Sequence, residues 1–277
     1  MLIFPTYQTL LAKAAATSSG GGSSFGGVTD NLVFHIDAGD TSSYSGSGTT
    51  VNSLVNSHTN DFYNSNVSYS SDDGGYWQFS NSSSDHTRSG IGFDYSSDFD
   101  FGSGDFTVEV WRKINSGTDY GYALFFGESS TPRSWAMWQF SGWWAFFRIY
   151  DSSNNNQNAI STDSGITNNA DARNVWHHTV VTKSDTGTYG QAKIYCNASL
   201  RATHNYTSSS TVYSSSNSDN KLCVGGGTLS GSFDDDSSST YPYPGKISIV
   251  RIYKGKCLTA SEVSTNFDQE KSRYGYS

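Results

Sequence analysis

Residues 245–267, GKISIVRIYKGKCLTASEVSTNF, decide the fold. Residues 246–253 read as a β-strand, because Ile and Val suit a pleated, half-buried surface. The apolar set is Ile247 and Ile249, then Val250 and Ile252, so strict alternation slips by one residue at Val250. A bulge there, or burial on both faces, accounts for the slip. Thr259-Ala260-Ser261-Glu262 is a capping box. The Thr259 hydroxyl accepts from the Glu262 amide, and the Glu262 carboxylate reaches back to the Thr259 amide. Val263 and Phe267 then lie four apart on one helical face. The stretch is a strand running into a short, capped helix.

This stretch resembles the closing strand of laminin-G-like, concanavalin A-like jelly rolls. There a strand ending in Ile-Tyr is followed by Leu-Thr-x-x-Glu and a small helix. Three further segments fit the same pattern in the same order: residues 31–39 (NLVFHIDAG), 104–113 (GDFTVEVWRK) and 175–183 (VWHHTVVTK). The resemblance covers residues 30–270. It implies an all-β, antiparallel two-sheet β-sandwich of the jelly-roll type with one short C-terminal helix, of the kind found in bacteriophage structural proteins. The same fold serves lectins, glycan hydrolases, adhesion modules and virion proteins, so function has to be argued from sites.

Composition agrees with that class. The chain has 277 residues, enough for a large core in one all-β domain. Glycine is abundant, aromatics reach 15% and charged residues only 15%, which suits many short strands joined by Gly, Ser and Asn turns. The net charge of −8, without a basic cluster, disfavours nucleic acid and anionic lipid. No apolar run is long enough to span a membrane. The three cysteines, Cys196, Cys223 and Cys257, fit no zinc spacing and imply no disulfide framework.

Residues 1–29 read as an N-terminal arm and linker, and residues 30–277 as the jelly-roll domain. Leu2, Ile3, Phe4, Tyr7, Leu10 and Leu11 make the arm apolar. Pro5, Lys13 and the missing basic start argue against a signal peptide. The run TSSGGGSSFGG is a flexible tether by composition. A tether gives reach, so the arm is expected to dock on copies of the chain or on other proteins of an assembly. Folding back on its own domain is the alternative.

Two constellations stand out. In residues 143–150, WWAFFRIY, a strand places Trp143, Ala145, Phe147 and Ile149 on a core face. Trp144, Phe146, Arg148 and Tyr150 fall on the other face, with Trp138 on the preceding strand. Aromatic rings stack on sugar faces, and Arg donates to hydroxyls or carboxylates, so these five are the expected ligand-binding residues. A second hydrophobic layer is the competing reading. Asp94, Asp98, Asp100 and Asp105 crowd one loop region and Asp234–Asp236 another. Calcium, which takes 6–8 oxygen ligands, is the cofactor such clusters suit; solvated loop acid is the alternative.

No catalytic residues are expected. The glucanase branch of the resembled fold carries Glu-x-Asp-x-x-Glu, and that motif is absent. Glu109 lies mid-strand with no second acid in register. His177 and His178 point to opposite faces and cannot chelate one ion together. The resulting expectation is a virion structural protein, assembled in a host cytoplasm as a phage fibre, tail or capsid-surface component. It would display a lectin-like jelly roll, with a host-surface glycan as ligand. A cellular lectin, secreted or at the cell surface, is the alternative; a glycan hydrolase comes third.

Overall fold

Alternating apolar runs build the strands. The computed structural model describes residues 25–62, 67–79, 90–115, 121–127, 133–140, 143–150, 156–161, 173–185, 189–207, 211–212, 220–226 and 243–277. Residues 1–24 of the expected arm and linker (1–29), and Asp234–Asp236, lie outside them. The chain begins with β1 (Leu32–Asp37), β2 (Thr50–Asn52), β3 (Thr59–Asp61), β4 (Val67–Ser70), β5 (Tyr76–Phe79) and β6 (Ile91–Phe93). Longer strands follow: β7 (Phe106–Ile114), β8 (Gly121–Gly127), β9 (Arg133–Phe140), β10 (Trp143–Tyr150) and β11 (Asn156–Ser161). Then come β12 (Trp176–Ser184), β13 (Gln191–Cys196), β14 (Ser199–Asn205), β15 (Lys221–Val224), β16 (Gly245–Lys254) and the helix α1 (Ala260–Glu270).

The strands form a two-sheet antiparallel sandwich. An eight-stranded sheet runs β14-β13-β12-β7-β16-β5-β4, with β1 also paired to β16. A six-stranded sheet runs β11-β10-β9-β8-β15-β6. β2 and β3 form a separate hairpin, in a turn-rich, polar region that the sequence marks as loops with weak strands. Between the sheets Phe106, Val108 and Val110 of β7 meet Ala145, Phe147 and Ile149 of β10 in one buried core. Ala192, Ile194 and Cys196 join the same core. None of the described helices is long and apolar enough to cross a membrane.

The slip in β16 is a bulge, but at Ser248 rather than Val250: the register against β7 shifts between Ile247 and Ile249. Ile247, Val250 and Ile252 therefore face the core, while Ile249 and Tyr253 face outward. Both expected explanations hold together, since β16 is buried on both faces from Ile247 to Tyr253. A second shift in β1, between Leu32 and Phe34, moves Leu32 out of the alternation that Phe34 and Ile36 follow. Leu32 packs outside with Tyr253, Leu258 and Val263, and Val33 packs against the main core.

The outer face of the eight-stranded sheet is covered by both ends of the described chain. The capping box forms as expected at the start of α1, which lies across this face. Beneath the helix, Glu109 of β7 is completely buried and pairs with Arg251 of β16 at 2.6 Å. His178 Nε2 of β12 lies 3.0 Å from the same carboxylate, and Asn266 Nδ2 of α1 donates to it at 2.7 Å. Glu270 of α1 pairs with Arg251 and accepts from Trp111 Nε1 at 2.7 Å. The bulged Ser248 accepts from Tyr274 at 2.8 Å and from Arg273 at 2.9 Å, and Arg273 pairs with Asp37 of β1.

The start of the described chain closes the same cluster from the other side. Phe25 lies with its ring 3.7 Å from the Arg251 guanidinium and 5.3 Å from His35. The Val28 amide donates to Asn266, and Tyr253 donates to the Val28 carbonyl. Residues 25–28 of the expected linker are thus seated on the domain. His35 accepts from Arg251 Nε at 3.2 Å, which requires a neutral imidazole. Burial first, then the Arg251 charge, hold its pKa well below the ordinary value.

Removing the Thr259 hydroxyl takes the side-chain acceptor from the first turn of α1, so Thr259→Ala should cost about 1 kcal/mol in urea denaturation. The Glu109 cluster predicts an acid limb. Burial alone would raise the Glu109 pKa, but Arg251 and His178 bring it from 4.5 down to about 2. A lowered folded-state pKa adds stability that is complete above about pH 4.5 and lost as pH falls toward 2. Glu109→Gln should flatten that part of the stability curve while losing about 3–5 kcal/mol at neutral pH. Curves that stay parallel between variant and parent would contradict the assignment.

Candidate functional site

The outer face of the six-stranded sheet is built by register. Cys223 of β15, Phe125 of β8, Ala136 of β9 and Arg148 of β10 are successive ladder partners and share this face. Tyr122 and Trp138 make the neighbouring row, and Phe146 is the ladder partner of Trp138. Tyr122 and Phe125 lie three apart, and strict alternation would separate them. A register shift between Tyr122 and Leu124 brings them to one side. A bulge of this kind leaves no mark in an all-apolar strand, so the sequence did not reveal either residue as part of the face.

Of the five expected ligand residues, the structure brings Trp138, Arg148 and Tyr150 together. The Arg148 guanidinium lies 4.7 Å over the Trp138 ring and donates to the Tyr150 hydroxyl at 3.1 Å. Trp138 stacks on Tyr122 at 5.3 Å with an interplanar angle of 13°, and Tyr122 meets Phe125 edge-on at 5.4 Å. Trp144 and Phe146 occupy positions in β10, but their side chains lie outside the described residues. The opposite face of β10 is core, as the sequence implies: Ala145, Phe147 and Ile149 are buried.

The face is not uniformly open. Tyr122, Phe125, Ala136 and Cys223 are almost completely buried and form a second hydrophobic layer, the competing expectation. Tyr150 is also buried, whereas Trp138 and Arg148 are half-buried. Among the described side chains of this face, the half-buried ones lie on β9 and β10. There the Arg148 guanidinium lies over the Trp138 indole and is bonded to the Tyr150 hydroxyl. Such a pair can stack a sugar and donate to its oxygens.

Three of the four acids expected to hold calcium have separate partners. Asp94 pairs with Lys221 at 2.6 Å. Asp98 accepts from Asn56 at 2.9 Å and lies 3.0 Å from His58. Asp105 accepts from the Asp185 amide at 2.8 Å. Asp100 follows the short helical turn Ser97–Phe99. Among the described residues no three His, Cys, Asp or Glu side chains converge on a point that could hold a metal ion.

His177 and His178 do point apart. His177 Nδ1 lies 3.8 Å from Cys196 Sγ, while His178 serves Glu109 on the outer face. Glu109 has a second acid nearby after all, in Glu270, but both meet at Arg251 under the helix and not in a cleft. Sequence register could not reveal this partner, because it comes from α1 and lies outside the ladder.

A family model described as the concanavalin A-like lectin/glucanases superfamily matches residues 89–264, more than half of the chain. No curated protein matches the chain. Solved structures share its fold. The binding domain of Paraclostridial Mosquitocidal Protein 1 superposes with a TM-score of 0.61 at 15% identity, over 89% of this chain and 55% of that one. The botulinum neurotoxin serotype D ligand-binding domain, in complex with N-acetylneuraminic acid, gives 0.61 at 13%, over 86% and 51%. The botulinum neurotoxin DC binding domain, in complex with rat synaptotagmin II, gives 0.62 at 14%, over 87% and 52%. The chain spans about half the length of these structures, and at such identity the likeness is one of fold.

Burial of the layer can be read through its cysteine. Cys223 is 1% exposed, and burial pushes its thiol pKa strongly up. Under native conditions Cys223 and Cys196 should resist a thiol reagent that slowly labels the half-buried Cys257; all three should label in denaturant. Native labelling of Cys223 at the rate of Cys257 would mean that the face is open.

Proposed function

Because the chain belongs to the concanavalin A-like lectin/glucanase superfamily, we propose that it is a non-catalytic carbohydrate-recognition domain displayed on a larger assembly. One observation carries this reading. Both ends of the described chain, Phe25–Val28 and α1 with its tail, lie on the outer face of the eight-stranded sheet. The Trp138–Arg148 edge lies on the outer face of the other sheet. A body attached through residues 1–24 would hold the domain by one face and present the other. Where a single site binds weakly, many copies on one particle convert weak contacts into avidity.

Other features fit the same reading. Of the glutamates, Glu109 and Glu270 are spent on Arg251 and Glu262 on the helix cap, which leaves no described glutamate for an acid–base pair on the six-stranded sheet. Similar folds include binding domains solved with N-acetylneuraminic acid and with rat synaptotagmin II. A virion surface, such as a phage fibre, tail or capsid exterior, is the assembly we favour, with copies of the chain or other virion proteins on the arm. A host-surface glycan is the matching ligand.

Two experiments test this. On a glycan array the full chain should bind a subset of glycans, and Trp138→Ala and Arg148→Ala should each weaken that binding at least about tenfold, as loss of an anchoring contact does. Unchanged binding in both variants, or release of reducing ends from a bound glycan, would overturn the reading. By light scattering the full chain should be oligomeric, and a chain lacking residues 1–24 a folded monomer. Two monomers would rule out assembly through copies of itself and point to a free lectin or a heterologous partner.

A further inference from the structure

Between the β2–β3 hairpin and the edge strand β4 lies a cleft of about 650 Å³. Its floor is Tyr44, 3% exposed, which stacks on Phe62 at 5.4 Å and tilts against Tyr69 at 4.9 Å. The Tyr44 hydroxyl donates to the Gly48 carbonyl at 2.8 Å, so the floor is fixed. Phe62 and Tyr69 remain half-buried, and the rim of Gly46, Gly48 and Thr49 is exposed. Gly46 (φ +86°) and Gly48 (φ +79°) have left-handed backbone that favours glycine. A Cβ at Gly46 would come 3.9 Å from the Tyr69 ring, and one at Gly48 would meet nothing within 4 Å. The rim backbone is thus bare beside the rings.

We propose that this cleft binds a neutral saccharide, with a pyranose ring against Phe62 and Tyr69 and its hydroxyls bonded to the Gly46–Thr49 rim. None of the described lining residues carries a charge. Asp61, whose carboxylate accepts from Thr49 at 3.3 Å and Thr50 at 2.7 Å, puts a negative charge beside the rim. An anionic ligand would find no counter-charge there. A wholly apolar ligand would strip water from rim carbonyls and hydroxyls without replacing the hydrogen bonds. A sugar offers what the cleft asks for, apolar C–H faces for the rings and hydroxyls for the rim. The volume falls within the range of about 300–1,000 Å³ typical of small-molecule sites. The cleft is formed by the loop before β2, by Phe62 just after β3 and by β4, the Trp138–Arg148 pair by β9 and β10, and the two sites stand or fall separately.

The test is a nuclear magnetic resonance titration of the isotope-labelled full chain with maltotriose, cellotriose and tri-N-acetylchitotriose. At least one should shift the amides of Gly46, Gly48 and Thr49, with affinity lowered at least about tenfold in Tyr69→Ala. Tyr69 also packs against the core, so Thr49→Trp, at the exposed rim, gives the same readout in a chain whose core is untouched. Arg148→Ala should leave these shifts intact. Rim amides unmoved by all three sugars, or moved equally in Thr49→Trp, would overturn the proposal. So would a response to indole alone, which would mark an apolar site. Shifts confined to Trp138 and Arg148 would overturn it too, while supporting the sheet-face reading.

Discussion

The buried charge of Glu109 constrains everything around it. A carboxylate in the middle of a central strand, with no exposure to water, is tolerable only with partners that satisfy both oxygens. Arg251 is its ladder partner on β16 and His178 comes from β12 on the other side. The sheet alone does not complete the set. Asn266 on α1 occupies the second oxygen, and Glu270 on the same helix balances Arg251. A bare eight-stranded sheet would leave a charge cluster open on its outer face, so the helix and the Phe25 segment are integral to the sandwich.

The two sheets consequently differ in character. The outer face of the eight-stranded sheet is polar at its centre, and the ends of the described chain lie over it. Arg273 and Tyr274 fasten the tail to the Ser248 bulge, and Tyr276 fastens it to Trp176 and Asn197. The six-stranded sheet instead turns aromatic rings outward, with Arg148 set among them. On the proposed reading, attachment acts on the first face and recognition on the second.

Much of the frame was legible in the sequence. The alternating runs at β7, β10 and β16 and the capping box at Thr259 are local patterns with a direct physical reading. The slip in β16 was legible too, but not its position. A bulge reverses the parity of every residue beyond it, and parity alone does not say which residue was inserted. Ser248 takes the place because its hydroxyl, carried to the outer face, meets Arg273 and Tyr274. The partners of Glu109 were not legible, since Asn266 lies 157 positions away and no ladder relates them. Phe25 was hidden in a Gly/Ser run whose composition speaks for a tether, and only the cation beneath it explains its place. The rings of Tyr44, Phe62 and Tyr69 were hidden likewise, scattered through turns that give no period.

The account rests on α1 being part of the sandwich and not an appendage laid on it. Native-state hydrogen exchange tests this directly, by comparing the amides of Val263 to Glu270 in α1 with those of Val108 to Val110 in β7. If the charge cluster binds helix and sheet into one cooperative unit, both sets exchange with the same free energy and the same denaturant dependence as global unfolding. Exchange of the α1 amides through a smaller opening, while β7 and β16 stay protected, would contradict it.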